Sequence, residues 1–245
     1  MVELFGKGCH YRGDLSLLKR PKVSIVGARR AGEYARSLTY RLAKGFAKRG
    51  WVVVSGGAAG IDAMAHRGAG AKNTIVVLPC GIERRYPKIN APLIDEVAKE
   101  GLVLSQFAPD FIATPWSFVV RNRLVVELGE FVVIGQADPK SGSMRSAEIA
   151  KELGKKIYVF PHRIGESEGT NALAAANEAE VIWDIDAFLE RVAPAVAEAP
   201  QDPLIGYLKS SPPLDEAVAK YGAKIMELEL LGTIKIVRGR VIYEG

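Results

Sequence analysis

From Lys22 onward, short runs of β-branched residues alternate with amphipathic stretches of helical period. This alternation is typical of parallel strands joined by crossover helices, and it predicts an α/β fold with a doubly wound, mainly parallel sheet. Most of the short runs are apolar throughout, so we expect both faces of the sheet to be covered. The predicted strands are Lys22–Val26, Trp51–Ser55, Thr74–Leu78, Leu102–Ser105, Phe131–Gly135, Lys156–Phe160 and Glu180–Trp183.

The clearest helical pattern spans Glu33 to Arg49. Apolar residues recur there at every fourth position, which predicts one buried stripe against the sheet. The predicted stripe consists of Tyr34, Leu38, Leu42 and Phe46.

A second, smaller domain is predicted at the C-terminal end of the chain. The segment APAVAEAPQDP has three prolines and no periodicity, so it predicts a linker at residues 193–203 between a domain at 1–192 and another at 204–245. The last segment indicates three short helices and then a hairpin that turns at Arg238 and Gly239, the outline of a winged helix. Its third helix carries Glu227 and Glu229, which favours contact with a protein over contact with DNA phosphates.

Composition restricts the class of protein. The 245 residues are 48% hydrophobic and 25% charged, which is typical of a globular protein. No apolar run approaches the roughly 18 residues that a bilayer span needs, and Met1 to His10 lacks the pattern of a signal peptide, so we expect a cytoplasmic protein without membrane contact. Cys9 and Cys80 fit neither a disulfide framework nor a zinc motif, so no metal is expected.

The net charge of +5 weakly favours an anionic partner. The loops that follow the predicted strands are stronger evidence for such a partner. In an open parallel sheet, ligands bind at the carboxyl ends of the strands. Glycines, hydroxyl groups and guanidinium groups occur in these loops, and they are the groups that bind phosphate. We therefore predict a polyanion site formed by the segments Gly27–Arg30, Ser55–Asp62, Cys80–Lys88, Phe118–Arg123 and Gln136–Ser143.

Several enzyme classes are disfavoured. The chain lacks the dinucleotide motif G-x-G-x-x-G, the P-loop motif and the G-x-S-x-G motif, and its three histidines lie far apart. Asp62, Glu83 and Asp138 show no spacing that pairs two carboxylates, and Asp62 and His66 are expected to have structural roles. The loops therefore favour binding over catalysis, with no cofactor.

Single-stranded nucleic acid would also need an aromatic face on which an unstacked base can lie. Phe118 is the preferred candidate because Arg121, three positions further on, would share its helix face. The other aromatic candidates are Tyr86, Phe107, Phe111 and Trp116.

Six ordered motifs point to a family. GARR, SGGAAGIDAMAHRGA, LPCGIERRYPKIN, SFVVRNRL, QADPKSGSMRSAEIA and ESEGTNAL resemble the DNA processing protein A (DprA, or Smf) family between Lys22 and Trp183. The resemblance implies an extended Rossmann fold with a variable winged-helix-like C-terminal domain, and a homodimer. It also implies a protein that binds and protects single-stranded DNA without sequence preference and helps to load RecA recombinase in natural transformation.

The resemblance and the loops together define a predicted DNA-binding set. By resemblance, Arg29 binds phosphate, Phe118 contacts a base and Lys88 is the lysine of the YPK motif. Three departures from the family pattern are Ala59 in place of an arginine, Thr114–Trp116 in place of basic residues, and no counterpart of the family's N-terminal helical domain before Lys22. The full predicted set is Arg29, Ser55, Gly56, Gly57, Arg85, Lys88, Phe118, Arg121, Asn122, Arg123, Gln136, Lys140, Ser141, Gly142 and Ser143.

Two other functions stay open at this point. A Rossmann-like phosphoribohydrolase that releases the base from a nucleoside monophosphate also uses a glycine-rich loop, but SGGAAGID lacks the threonine and glutamate of that motif. A protein-interaction scaffold with a vestigial groove is the second alternative. A measurement of affinity for oligonucleotides distinguishes both alternatives from the DNA-binding hypothesis.

Overall fold

A computed structural model of the chain describes residues 1–194 and 203–243. The chain divides into two compact units, Met1–Pro194 and Ala195–Gly245. The predicted linker lies mostly outside the described residues, but Ala193 is fully buried in the core of the first unit. The second unit begins its first helix at Pro203.

Within the described part of the first unit, nine strands form one sheet in the order β1-β2-β6-β5-β4-β3-β7-β8-β9. The seven strands from β3 to β9 pair in parallel, whereas β2 lies antiparallel to β6, and β1 antiparallel to β2. The strands are β1 (Val2–Leu4), β2 (Lys7–Gly13), β3 (Lys22–Val26), β4 (Val52–Ser55), β5 (Thr74–Val77), β6 (Leu102–Ser105), β7 (Val132–Ile134), β8 (Ile157–Val159) and β9 (Glu180–Val181).

All seven predicted strands are present, each within two residues of its predicted ends. Strands β1 and β2 were not predicted. The sequence of β2, KGCHYRG, buries only Cys9 and carries no apolar alternation, so its place is decided by backbone pairing with β6.

The strand order reverses beside β3. From β3 the chain adds β4, β5 and β6 on one side, and then β7, β8 and β9 on the other. Such a reversal opens a crevice at the carboxyl ends of the central strands, because the connections leave in opposite directions.

Helices cover both faces of the sheet. Successive residues of β4 enter different apolar clusters, since Val52 and Val54 pack on one side and Val53 on the other. Helices α1, α2, α3 and α7 lie on the face of Val53, and α4 and α5 on the opposite face. The helices are α1 (Glu33–Lys48), α2 (Ile61–Ala69), α3 (Ala91–Glu100), α4 (Pro115–Leu128), α5 (Gly142–Glu152), α6 (Glu168–Ala175) and α7 (Ile185–Val192).

The predicted buried stripe of α1 is wrong at its N-terminal end. Tyr34 is 51% exposed, and the helix instead buries Ala35, Thr39, Leu42 and Phe46. Four residues advance an α-helix by about 40° beyond a full turn, so a strict four-residue spacing drifts by about 120° between the first and last members of the stripe.

The described residues of the second unit form three helices followed by an antiparallel hairpin, the predicted order of elements. Its described elements are α8 (Pro203–Leu208), α9 (Leu214–Tyr221), α10 (Lys224–Leu230), β10 (Ile234–Val237) and β11 (Arg240–Tyr243). The hairpin turns at Arg238 and Gly239, both with positive φ, which suits the right-handed twist of the strands. The winged-helix assignment stays a prediction.

Candidate functional site

A cavity of about 350 Å³ opens at the carboxyl ends of β3, β4 and β7, where the strand order reverses. Four segments line it: the loop after β3, the loop after β4 with the start of α2, the middle of α4, and the loop after β7 with the start of α5. The lining residues are Val26, Gly27, Ala28, Arg29, Arg30, Gly56, Ala58, Asp62, Phe118, Arg121, Asn122, Val125, Asp138, Ser141, Gly142, Ser143 and Ser146.

Eight residues of the predicted DNA-binding set line this cavity. They come from segments that are far apart in sequence, and the topology of the sheet brings them together. They are Arg29, Gly56, Phe118, Arg121, Asn122, Ser141, Gly142 and Ser143.

Helix α4 presents Phe118 and Arg121 to the cavity. Its start is fixed by a capping box in which the Thr114 side chain accepts from Ser117 N (3.3 Å) and the Ser117 hydroxyl accepts from Thr114 N (2.9 Å). Pro115 occupies the first turn, where no backbone donor is needed. The start of the helix is thereby fixed one turn before Phe118.

Phe118 is half-buried and forms part of a cationic and aromatic surface. The guanidinium carbon of Arg29 lies 5.1 Å from the centre of its ring, and that of Arg121 lies 5.7 Å away. Tyr86 packs edge to face against the ring at a centroid distance of 5.4 Å. Such a surface can hold an unstacked base beside a phosphate.

Arg121 is 5% exposed and connects three parts of the site. Its Nη1 donates to Gly56 O and to Val77 O, the latter at 3.0 Å, and its Nε donates to Asn122 Oδ1 at 3.0 Å. A Cβ at position 56 would collide with the guanidinium, so the glycine leaves the space that Arg121 occupies. Arg121 therefore holds the loop after β4 in place while keeping a positive charge at the cavity floor.

Asp62 is the buried carboxylate of the site, at 5% exposure. Burial raises its pKa, whereas the positive charge of Arg121 and a hydrogen bond from Ala58 N (3.3 Å) act in the opposite direction. The charge of Asp62 is thus partly offset by that of Arg121 at the buried end of the cavity. The exposed Arg29 and Arg30 are thus left to attract an anion.

The N-terminus of α5 supplies backbone donors to the opposite wall. Ser141 caps the helix by accepting from Met144 N at 3.4 Å, and Asn122 Nδ2 donates to Gly142 O at 3.4 Å. Free peptide N–H groups at a helix N-terminus favour a phosphate oxygen. The cavity therefore combines guanidinium groups, a helix N-terminus and an aromatic ring.

Seven predicted residues do not line the cavity. Arg123 forms ion pairs with Glu127 (3.0 Å) and Glu152 (3.2 Å) on another side of α4, and Arg85 pairs with Asp95. Both arginines therefore have carboxylate partners away from the cavity, which a sequence motif could not reveal.

The other five have structural or peripheral positions. The buried Ser55 hydroxyl donates to Ile25 O at 2.6 Å, and Gln136 Oε1 accepts from Gly32 N at 2.9 Å. Gly57 is buried with a positive φ, and Lys88 and Lys140 are exposed.

The structure also adds residues to the site. Arg30 and Asp138 line the cavity although the predicted set omits them. The signal for Arg30 was present, since it follows Arg29 directly after a parallel strand. Of the other predicted aromatics, Phe107 and Phe111 stack on each other at 4.9 Å and Trp116 packs on Phe107, and none of these three lines the cavity.

The described residues contain no cluster of three or more histidine, cysteine, aspartate or glutamate side chains that could hold a metal ion. None of the helices in that same part of the chain combines the length and apolar character needed to cross a bilayer.

Comparison with known proteins places the chain in a family. The family model described as DNA recombination-mediator protein A matches residues 7–193. The chain belongs to this family. The resemblance drawn from the six motifs is therefore confirmed.

Two curated members of the recombination-mediator family show how much of the chain is shared. DNA processing protein DprA of Bacillus subtilis is 33% identical over 185 residues, which cover 74% of this chain and 62% of that protein. DNA processing protein DprA of Streptococcus pneumoniae is 36% identical over 168 residues, covering 66% and 59%. The chain thus spans less than two thirds of the length of either relative.

A solved structure supports the same fold. DNA processing protein A from Helicobacter pylori, in a structure that addresses its single-stranded DNA binding mode, is 43% identical with a TM-score of 0.74. The match covers 75% of this chain and 86% of that chain. The predicted Rossmann-like α/β fold is confirmed.

Ala59 occupies the position at which the family pattern has an arginine. The residue lines a second groove beside the cavity, together with Arg29, Arg36 and Arg67. The side chains of Arg36 in α1 and Arg67 in α2 thus line the same groove as Ala59.

Proposed function

We propose that this chain binds single-stranded DNA without sequence preference and acts as a recombination mediator, not as an enzyme. The observation that carries the proposal is the convergence of Phe118, Arg29 and the N-terminus of α5 on one cavity. The single-stranded DNA binding mode addressed in the H. pylori relative supports it.

Different residues of the cavity bind different parts of the DNA strand. Arg29, Arg30 and the first turn of α5 bind phosphate oxygens, since they supply positive charge and free N–H donors. Phe118 stacks on a base, and every base has a face for stacking, so binding tolerates any sequence. Duplex DNA keeps its bases stacked and cannot use this surface.

The proposal extends to the cellular role. The chain would be a cytoplasmic protein that protects incoming single strands and helps to load RecA during natural transformation, as the family resemblance implies. It would act as a homodimer that brings two cavities together. Trp183, 80% exposed next to the edge strand β9, is a candidate for the interface, whereas Ile182 and Phe188 are buried within the fold.

Fluorescence anisotropy of labelled oligonucleotides across a salt series tests the proposal. If about five phosphates are neutralised, log K should fall with log salt at a slope near −3.5 on single strands. Replacing Phe118 with Ala should weaken binding by about 1–3 kcal/mol, or roughly 5- to 150-fold, because a stacked base loses its support. Phe5→Ala is the matched control, since it makes the same replacement at a residue that is 56% exposed and does not line the cavity.

Equal affinity for single and double strands, or full affinity in the Phe118→Ala protein, would contradict the proposed mode. Failure of the wild type to bind any oligonucleotide at low salt would reject DNA binding. Release of free base from nucleoside monophosphates by the same preparation would then support the phosphoribohydrolase alternative.

A further inference from the structure

A groove of about 290 Å³ adjoins the cavity on the side of α1 and α2. Four arginines line it: Arg29 and Arg30 from the loop after β3, Arg36 from α1, and Arg67 from α2. Arg29 and Arg30 also line the cavity, so the groove continues directly from it.

The charge of the groove is almost uncompensated. Among the described residues, no acidic side chain lines it. Arg36 has an ion-pair partner, Glu33 at 3.5 Å, but the two side chains are 43% and 85% exposed, and such pairs are weak in water. Arg30 and Arg67 are exposed. Four guanidinium groups on one short surface repel each other unless an anion lies between them.

Small residues, Ala59, Gly60 and Ala63, line the groove together with the arginines. The other lining residues are Ala31, Met64, Ile89 and Asn90. Gly60 has φ +75°, and a Cβ there would collide with the carbonyl oxygen of Ala28, so the loop after β4 packs directly on the loop after β3. These short side chains leave room for a phosphodiester backbone to approach the arginines that line the groove.

We propose that this groove is a second phosphate-binding segment, in which Arg36 and Arg67 bind the backbone of a single strand whose base lies on Phe118. The inference rests on the proposed function and adds a direction: the strand leaves the cavity over Arg29 and Arg30 and passes between the N-terminal part of α1 and the exposed side of α2. The ligand is a phosphodiester chain, bound through charge and without base recognition.

Oligothymidines of two lengths test the proposal by anisotropy. We expect a thymidine dinucleotide to bind in the cavity alone and a longer oligothymidine to reach the groove as well. The double replacement of Arg36 and Arg67 with Ala should weaken binding of the longer strand about tenfold or more, and should reduce its salt slope by about 1.4, from roughly 0.7 per lost contact. Dinucleotide binding should not change.

Two further variants make the test specific. The double replacement of Arg41 and Lys44 with Ala removes the same two charges from exposed positions on α1 that do not line the groove, and this protein should bind both lengths like the wild type. Arg29→Ala should weaken both lengths, since Arg29 lines both surfaces.

Wild-type affinity and slope in the double variant would overturn the groove and leave the cavity as the binding site. An equal loss in the protein without Arg41 and Lys44 would also overturn it, because the effect would then come from net charge. If the wild type binds neither oligonucleotide, both the groove and the proposed function fail.

Discussion

His66 shows how burial decides the chemistry of a single residue. Its Nδ1 lies 2.7 Å from Thr74 Oγ1, and Thr74 Oγ1 itself donates to Val53 O at 2.7 Å, so the ring donates to the threonine. Its Nε2 is buried and has no hydrogen-bond partner within the described part of the chain. Burial, helped by the charge of Arg121, lowers the pKa of His66 to about 3.

This pKa makes stability depend on pH. In the unfolded chain the histidine takes up a proton below a pH of about 6.5, whereas in the native protein it stays neutral down to about 3. The free energy of unfolding should therefore fall as the pH falls through this window, by about 2 kcal/mol between pH 7 and 5. Asp62, whose pKa is raised, reduces this loss, because the native carboxyl takes up a proton more readily than the unfolded one.

Urea unfolding at both pH values, with wild type and His66→Asn, measures the effect. The asparagine keeps a donor for Thr74 and does not titrate, so its stability should change less between the two pH values. An identical change in both proteins would show that His66 does not cause the dependence.

Arg121 was predicted to contact DNA, and the structure shows a second role for it. The residue lines the cavity, but its Nη1 is occupied by the carbonyl oxygens of Gly56 and Val77. The sequence contains both Gly56 and Arg121 and cannot show that one makes room for the other, because they are brought together only by the packing of α4 on the sheet.

The spacing of helices α1 and α2 sets the width of the groove that Arg29, Arg30, Arg36 and Arg67 line, called the arginine groove below. They approach closely at Gly68, where a Cβ would collide with the carbonyl oxygen of Tyr40 and lie 3.0 Å from the Cβ of Ala43. A backbone oxygen cannot turn aside as a side chain can, so a larger residue must push the helices apart.

Gly68→Ala should therefore lower the free energy of unfolding by about 1–3 kcal/mol, the usual cost of overpacking, despite the better helix propensity of alanine. Thermal unfolding measures this. Gly206→Ala in α8 is the control, because nothing lies within 4 Å of a Cβ there, and it should be neutral or stabilising. A stable Gly68→Ala protein would show that the helices can separate at no cost.

The strands were the most predictable elements. Central parallel strands are buried on both faces, and this requires short runs that are apolar throughout, as in Val52–Ser55. The helix stripe of α1 was less predictable, because several rotations of an amphipathic helix bury similar numbers of apolar residues. Strand β2 was not predictable at all, since its stabilising contacts are backbone hydrogen bonds to a strand far along the chain.

The two units of the whole molecule have separate hydrophobic cores. Three apolar clusters contain only residues of Met1–Pro194, and the fourth contains only residues of the second unit, such as Leu208 and Val241. All residues that line the cavity and the arginine groove belong to the first unit.

A fragment that ends at Pro194 should therefore fold and bind single-stranded oligonucleotides with an affinity close to that of the whole chain. Circular dichroism on heating and anisotropy with the same labelled strand check the two parts of this prediction. A folded fragment with much weaker binding would show that the second unit contributes to the DNA surface.

The sequence by itself determined the α/β class, the order of the central strands along the chain and the loops that carry the site. It did so because burial on both sides of a parallel sheet dictates apolar runs, and because polar and glycine residues must then collect where the strands end. It also determined the family, through motifs that need no structure to be read.

Only the tertiary structure decided which charges are available to a ligand. Arg29 and Arg123 are equally basic in sequence, but Arg123 forms ion pairs with Glu127 and Glu152, whereas Arg29 lines the cavity and forms no ion pair within the described part of the chain. Arg36 and Arg67 meet across a groove although 31 positions separate them. Such pairings depend on how packed helices are rotated and spaced. Contacts between distant segments set this rotation and spacing, and no local sequence pattern encodes those contacts.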